Sequence, residues 1–158
     1  MFDLKELRAF LVEASLKTYA TGDEKLSKKE TDGSTTYLYE KGKWKYHDNF
    51  VGAEPFGGRE IIFYEDTPVW MMTYYGGVSD KQLNKNEVFS FLQKALSKVD
   101  EVPEEAVPCR GPKNFKENEY KYLSNTMGQL EGFTGEEFIL KDGSEIYCTV
   151  YSGGLIGS

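Results

Sequence analysis

A chain of 158 residues, 39% hydrophobic and 28% charged with the signs mixed, is long enough for one core and too apolar for a disordered segment. Its net charge of -7 and pI near 4.9 argue against a nucleic-acid partner, which needs clustered Lys and Arg, and fit a cationic or neutral ligand; solubility alone also accounts for the acid excess. Aromatic residues reach 15%, with eleven Tyr, a ring type that suits binding surfaces and cores alike.

The chain opens with "MFDLKELRAF", which lacks a signal pattern, and no apolar run approaches membrane-spanning length. Cys109 and Cys148 form neither a close ligand spacing nor a disulfide framework. A cytoplasmic protein with no membrane partner is expected. "DLKELRAFLVEASLKTY" predicts a first helix, with Leu4, Leu7, Leu11 and Ala14 on one stripe and Asp3 and Glu6 at capping-box spacing. Strands are predicted at 36–40, 43–50, 59–65 and 69–75. His47, the only histidine, shares strand parity with Lys43 and Lys45, opposite Trp44 and Tyr46, which predicts ordinary exposure. Gly76-Gly77 and Gly153-Gly154 are read as turns after the last strand of each half. "NEVFSFLQKALSKV" predicts a second helix, with Val88, Phe91 or Leu92, Ala95 and Val99 on its stripe and Asn86 as N-cap. The Pro-rich, acidic stretch 100–114 is expected to be irregular. Strands follow at 119–126, 136–141 and 145–151, the last two joined through Asp142-Gly143.

The halves resemble each other. "YEKGKWKYHDNFVG" (39–52) aligns without gaps on "FKENEYKYLSNTMG" (115–128), and one inserted residue later Glu60 meets Glu137, Tyr74 meets Tyr151 and Gly76-Gly77 meets Gly153-Gly154. Gly42 and its counterpart Asn118 both tolerate positive φ at a tight turn. We therefore expect a single domain, 1–158, built of two repeats (about 1–78 and 79–158), each helix, loop and three strands. The expected fold is α+β, one antiparallel sheet with both helices on one face and an approximate twofold.

Strand parity sorts the side chains. Val69, Met71 and Thr73 share one face with Ile146, Cys148 and Val150, and this aliphatic face is expected under the helices. Trp70, Met72 and Tyr74, with Tyr147, Thr149 and Tyr151, share the other with Glu60 and Glu137. Left uncovered, that aromatic face would bind a ligand, a protein or a second copy; curled on itself, it would be a second core.

Glu60 and Glu137 are the sharpest pair, because an acid beside rings binds cations or carries a raised pKa; a salt-bridged surface Glu is the plainer reading. Arg110, in the Pro/Gly-bounded "PCRGP", is placed to reach Glu60 or Glu137, or to cap a strand end. Its charge could lower the Cys109 pKa, but Cys109 is expected to be structural or incidental, and Cys148 reads as an inert buried thiol. No Walker, Rossmann, nucleophile-elbow or zinc signature is present, so no cofactor and no metal are expected.

"PVWMMTYYGGV", "CRGPKNF" and the closing "YSGGLI" resemble an uncharacterised bacterial domain of unknown function, often carried behind an XRE-type helix-turn-helix in transcriptional regulators. The resemblance spans nearly the whole chain and implies a sensing or interaction role. Direct DNA binding does not transfer, since the first helix opens at Asp3. A looser analogy is to the duplicated, aromatic-lined effector domains of multidrug-responsive regulators. The leading expectation is a ligand-sensing module in which Trp70, Tyr74, Tyr147 and Tyr151 stack on a planar molecule, with Glu60 or Glu137 supplying charge and Arg110 nearby. The alternatives are a homodimer or protein-partner surface and a carboxylate/tyrosine enzyme.

Overall fold

Asp3 starts the first helix, its carboxylate accepting from the Lys5 N–H at 2.9 Å. The helix, α1 (Leu4–Lys17), buries Leu7, Phe10, Leu11 and Ala14, while Leu4 stays 36% exposed at its first turn. The structure is a computed structural model that describes residues 2–21, 26–79 and 83–157. After a 3-10 turn at Tyr19–Thr21 come β1 (Ser27–Lys29), β2 (Thr35–Lys41), β3 (Trp44–Gly52), β4 (Phe56–Tyr64) and β5 (Thr67–Val78). The second helix, α2 (Lys85–Leu96), is capped by Asn84, whose side chain accepts from the Asn86 N–H at 3.1 Å; the cap falls two residues before the Asn86 expected. A 3-10 turn at Val99–Glu101 interrupts the predicted irregular connector, and β6 (Asn114–Glu117), β7 (Tyr120–Gln129), β8 (Gly132–Lys141) and β9 (Ser144–Leu155) follow.

The nine strands form one antiparallel sheet in the order β1-β2-β3-β4-β5-β9-β8-β7-β6, so the fold is α+β. The order mirrors itself about the β5–β9 seam, where Tyr74 pairs with Tyr151. The first helix is followed by five strands and the second by four, rather than three each; the short edge strands β1 and β6 escape the pattern. Turn chemistry held: Gly42 and Asn118 take φ of 59° and 53°, and Asp142 and Gly143 take 49° and 82°. The twin glycines correct the turn reading, for Gly76-Gly77 lies within β5 and Gly153-Gly154 within β9. Close strand approach explains them: a Cβ on Gly76 would sit 2.2 Å from the Cys148 carbonyl oxygen, and one on Gly153 2.2 Å from that of Met71.

Parity grouped the side chains correctly except at Val69 and Ile146, and it assigned the wrong face to the helices. Both helices cover the aromatic face: α1 packs with Tyr46, Ile62, Trp70 and Met72, and α2 with Tyr122, Ile139 and Tyr147. The rings can be buried because their polar tips find partners; Trp70 Nε1–H, for example, donates to the Leu130 carbonyl at 3.0 Å. Opposite them, Met71 and Cys148 are half-buried, and Tyr75 and Val150 are 60% and 50% exposed. Bulges also break the alternation. Register shifts after Ile62 and Ile139 turn Val69 and Ile146 into the core beside Trp70 and Tyr147. His47 is half-buried rather than freely exposed, and no helix among the described residues is long and apolar enough to cross a membrane.

Candidate functional site

Two polar clusters lie on the covered face, one in each half of the sheet. In the second half Glu137, fully buried on β8, accepts from four donors. Arg110 bonds it through Nε, at 3.1 Å, and Nη2; the Tyr122 and Tyr147 hydroxyls donate at 2.7 and 3.1 Å. Thr149 supports Tyr147 at 2.6 Å, and the Gly111 N–H donates to Tyr122 at 3.1 Å. Burial opposes the Arg110 charge, but Glu137 more than compensates and the guanidinium stays ionised. Burial and Glu137 together push the Tyr122 and Tyr147 phenols well up, which keeps them donors. This cluster is closed and satisfied.

The first half has a similar arrangement, with Asp48 at the place that Ser124 takes in the second. Asp48 on β3 pairs across strands with Glu60 on β4, where Ser124 on β7 pairs with Glu137 on β8. The Tyr74 ring crosses Gly58, the residue opposite it on β4, because a Cβ there would meet the Tyr74 hydroxyl at 2.6 Å. The hydroxyl thereby reaches Asp48 two strands away and donates at 2.6 Å. Tyr151 crosses Gly135 in the same way, with its hydroxyl 2.9 Å from that of Ser124 and 2.7 Å from that of Thr126.

The chemical difference lies in the charges. Asp48 and Glu60 are 3% and 6% exposed, and neither forms an ion pair in the described structure. Burial raises the Asp48 carboxyl to about 6, against the lowering effects of the Tyr74 hydroxyl and Arg110. Burial and then the Asp48 charge raise Glu60 to about 8, with Arg110 and the Tyr46 hydroxyl acting the other way. Among the described residues, buried Glu60 Oε2 has no hydrogen-bond partner.

These two carboxyls line a cleft of about 330 Å³ between the sheet and α2. Phe50 and Phe56 from the sheet, Phe89 and Gln93 from α2, and Tyr19 after α1 supply its walls; Arg110 closes the inner end, 6.0 Å from the Tyr19 ring centroid. The volume is in the range of small-ligand sites. A separate hollow of about 20 Å³ touches Glu60 and Arg110 from the α1 side.

Of the residues singled out from sequence, Glu60, Tyr74 and Arg110 line this cleft. Glu137 and Tyr147 belong to the closed cluster, Tyr151 to the Ser124–Thr126 cluster, and Trp70 stacks on Phe133 with its ring centroid at 5.7 Å. Arg110 engages Glu137 rather than Glu60 in an ion pair. Asp48 was missed, although it shares strand parity with Tyr46 and faces Ser124 in the repeat alignment. Cys109 is buried, and burial pushes its thiol up, outweighing the Arg110 charge. Cys148 is half-buried on the outer face. Among the described residues no group of three or more His, Cys, Asp or Glu is placed to hold a metal ion.

Neither a curated protein nor a solved structure matches the chain. Residues 48–156, a span holding Asp48, Glu60, Tyr74 and Arg110, match one family model, and the chain therefore belongs to the family described as a domain of unknown function, DUF5680.

Proposed function

We propose that this chain is a ligand-sensing module whose cleft takes a small organic cation with a planar or aromatic body. The observation that carries the reading is the buried Asp48–Glu60 pair, unneutralised by an ion pair and set in an aromatic-walled cleft of about 330 Å³. Cations are favoured where ionised carboxylates and ring faces converge. The binding surface lies in this cleft, and Trp70, Tyr147 and Tyr151 serve the core behind it.

We also infer that the halves descend from a duplication, after which one site was closed by Arg110 and the other left open. The mirrored strand order and the two tyrosines crossing Gly58 and Gly135 support that history. The association with transcriptional regulators rests on the resemblance alone, and a cytoplasmic setting on the cysteine usage and the lack of a signal pattern. Isothermal titration with a panel of aromatic cations tests the reading. Saturable binding that weakens at least tenfold in Asp48→Asn is expected; affinity equal to that of matched neutral compounds would refute it.

A second reading, self-association through the outer face, is favoured by one observation. Tyr75 and Val150 pair at the central seam and are both more than half-exposed or half-exposed, with no helix above them. Sedimentation of wild type and Tyr75→Glu decides it: a monomer at all concentrations removes this reading.

A further inference from the structure

We infer that the cleft selects cations bearing an N–H donor, primary or secondary amines rather than quaternary ammonium ions, and that the donor pairs with the buried Glu60 carboxyl. The inference rests on the cation reading and goes one step further, to the chemistry of the cationic head. Its basis is Glu60, a residue that lines the cleft, is 6% exposed and has a buried Oε2 atom without a hydrogen-bond partner among the described residues. An orphaned buried acceptor is costly, and only a ligand that donates a hydrogen bond removes that cost. A quaternary ammonium brings charge but no donor, so it would leave the oxygen as it is.

The groups facing Glu60 explain why it holds a proton. On β3 the Asp48 carboxylate and Tyr46 phenol flank it, and on β5 Tyr74 spends its hydrogen bond on Asp48. Arg110 and Glu137 approach from beyond the seam but are committed to each other, and Cys109 beside Arg110 stays a neutral thiol. Tyr19 lines the cleft as a neutral phenol raised to about 12, and the Lys29 ammonium, at the outer wall, donates to Thr35 at 2.6 Å. Among the described residues no cation is therefore paired with Glu60, and burial with the neighbouring Asp48 charge holds its proton to about pH 8. When an ammonium N–H meets Oε2, the Glu60 proton leaves to solvent and the carboxylate pairs with the ligand. No covalent bond in the ligand changes. Below about pH 6 Asp48 takes up a proton as well, and the last attraction for a cation goes with it.

The test uses the full chain and three matched probes: phenethylamine, its N,N,N-trimethyl analogue and phenethyl alcohol. Titration calorimetry is run from pH 5.5 to 8.5, in buffers of different ionisation enthalpy. The amine is expected to bind about tenfold or more tightly than the trimethyl compound. Its affinity should climb towards about tenfold per pH unit from pH 6 to 7.5, with close to one proton released per amine bound. Glu60→Gln should weaken the amine and flatten this profile. A carbon-13 titration of the Glu60 carboxyl in the unaltered protein checks the resting proton independently and should show it retained at pH 7. Equal affinities for both cations with no proton release would overturn the inference while leaving the cation reading intact. If neither cation bound more tightly than the alcohol, the cation reading itself would fall, and this inference with it.

Discussion

Arg110 shows how much depends on single charges. Replacing it with Met would leave Glu137 fully buried without its cation, and breaking such a pair costs about 3–5 kcal/mol. Urea unfolding should show a loss of that size in Arg110→Met and a smaller one in the double variant with Glu137→Gln, where no buried charge is stranded. Asp48 and Glu60 work in the opposite sense. Their folded pKa values, about 6 and about 8, lie above those of unfolded Asp and Glu near 4. The native state therefore binds extra protons between about pH 4 and 8, and its stability falls as pH rises through that window. Glu60→Gln has no such proton to lose and should show a flatter decline; equal slopes for both proteins between pH 5 and 8 would contradict the assignment. Glu60, Tyr74 and Arg110, which line the cleft, were legible as candidates because acids, rings and a fixed guanidinium stand out in a sequence. Which acid Arg110 would neutralise was not legible, since Glu137 lies 27 positions away and Glu60 competes for it on equal terms.

At the scale of elements, helix stripes and strand alternation placed both helices and seven of the nine strands. Two edge strands of three and four residues, β1 and β6, carry too few positions for a period to show. The choice of covered face failed for a physical reason. Aliphatic residues look like better core than tyrosines until the tyrosines' hydrogen-bond partners are known, and Asp48 lies 26 positions from Tyr74. Glycine sets the reach of those rings, so Gly58→Ala should push Tyr74 aside and break its bond to Asp48. A change in the Tyr74 ring shifts by NMR, with about 1–3 kcal/mol of destabilisation, is expected. Gly153→Ala at the seam should cost a comparable amount, because its Cβ would meet Met71 backbone rather than a side chain free to move. Gly132→Ala is the control: a Cβ there meets nothing within 4 Å, and stability should change little.

At the scale of the whole molecule, the two helix–sheet clusters share Phe56, which packs against both. One continuous sheet and this common ring predict a single unfolding transition. Leu11→Ala under the first helix and Leu92→Ala under the second should each cost about 2–5 kcal/mol, lowering that transition without splitting it. Two separated melts in either variant would mean that the halves stand alone. The placement of β9 has a further consequence, for assembly in time. The ninth strand, at the middle of the sheet, leaves the ribosome after the other eight, some sixty-five residues after the β5 strand it must join. Until then β5 presents a raw backbone edge, open to any extended segment nearby. Newborn chains stalled before Ser144 are therefore the species that should need chaperone protection.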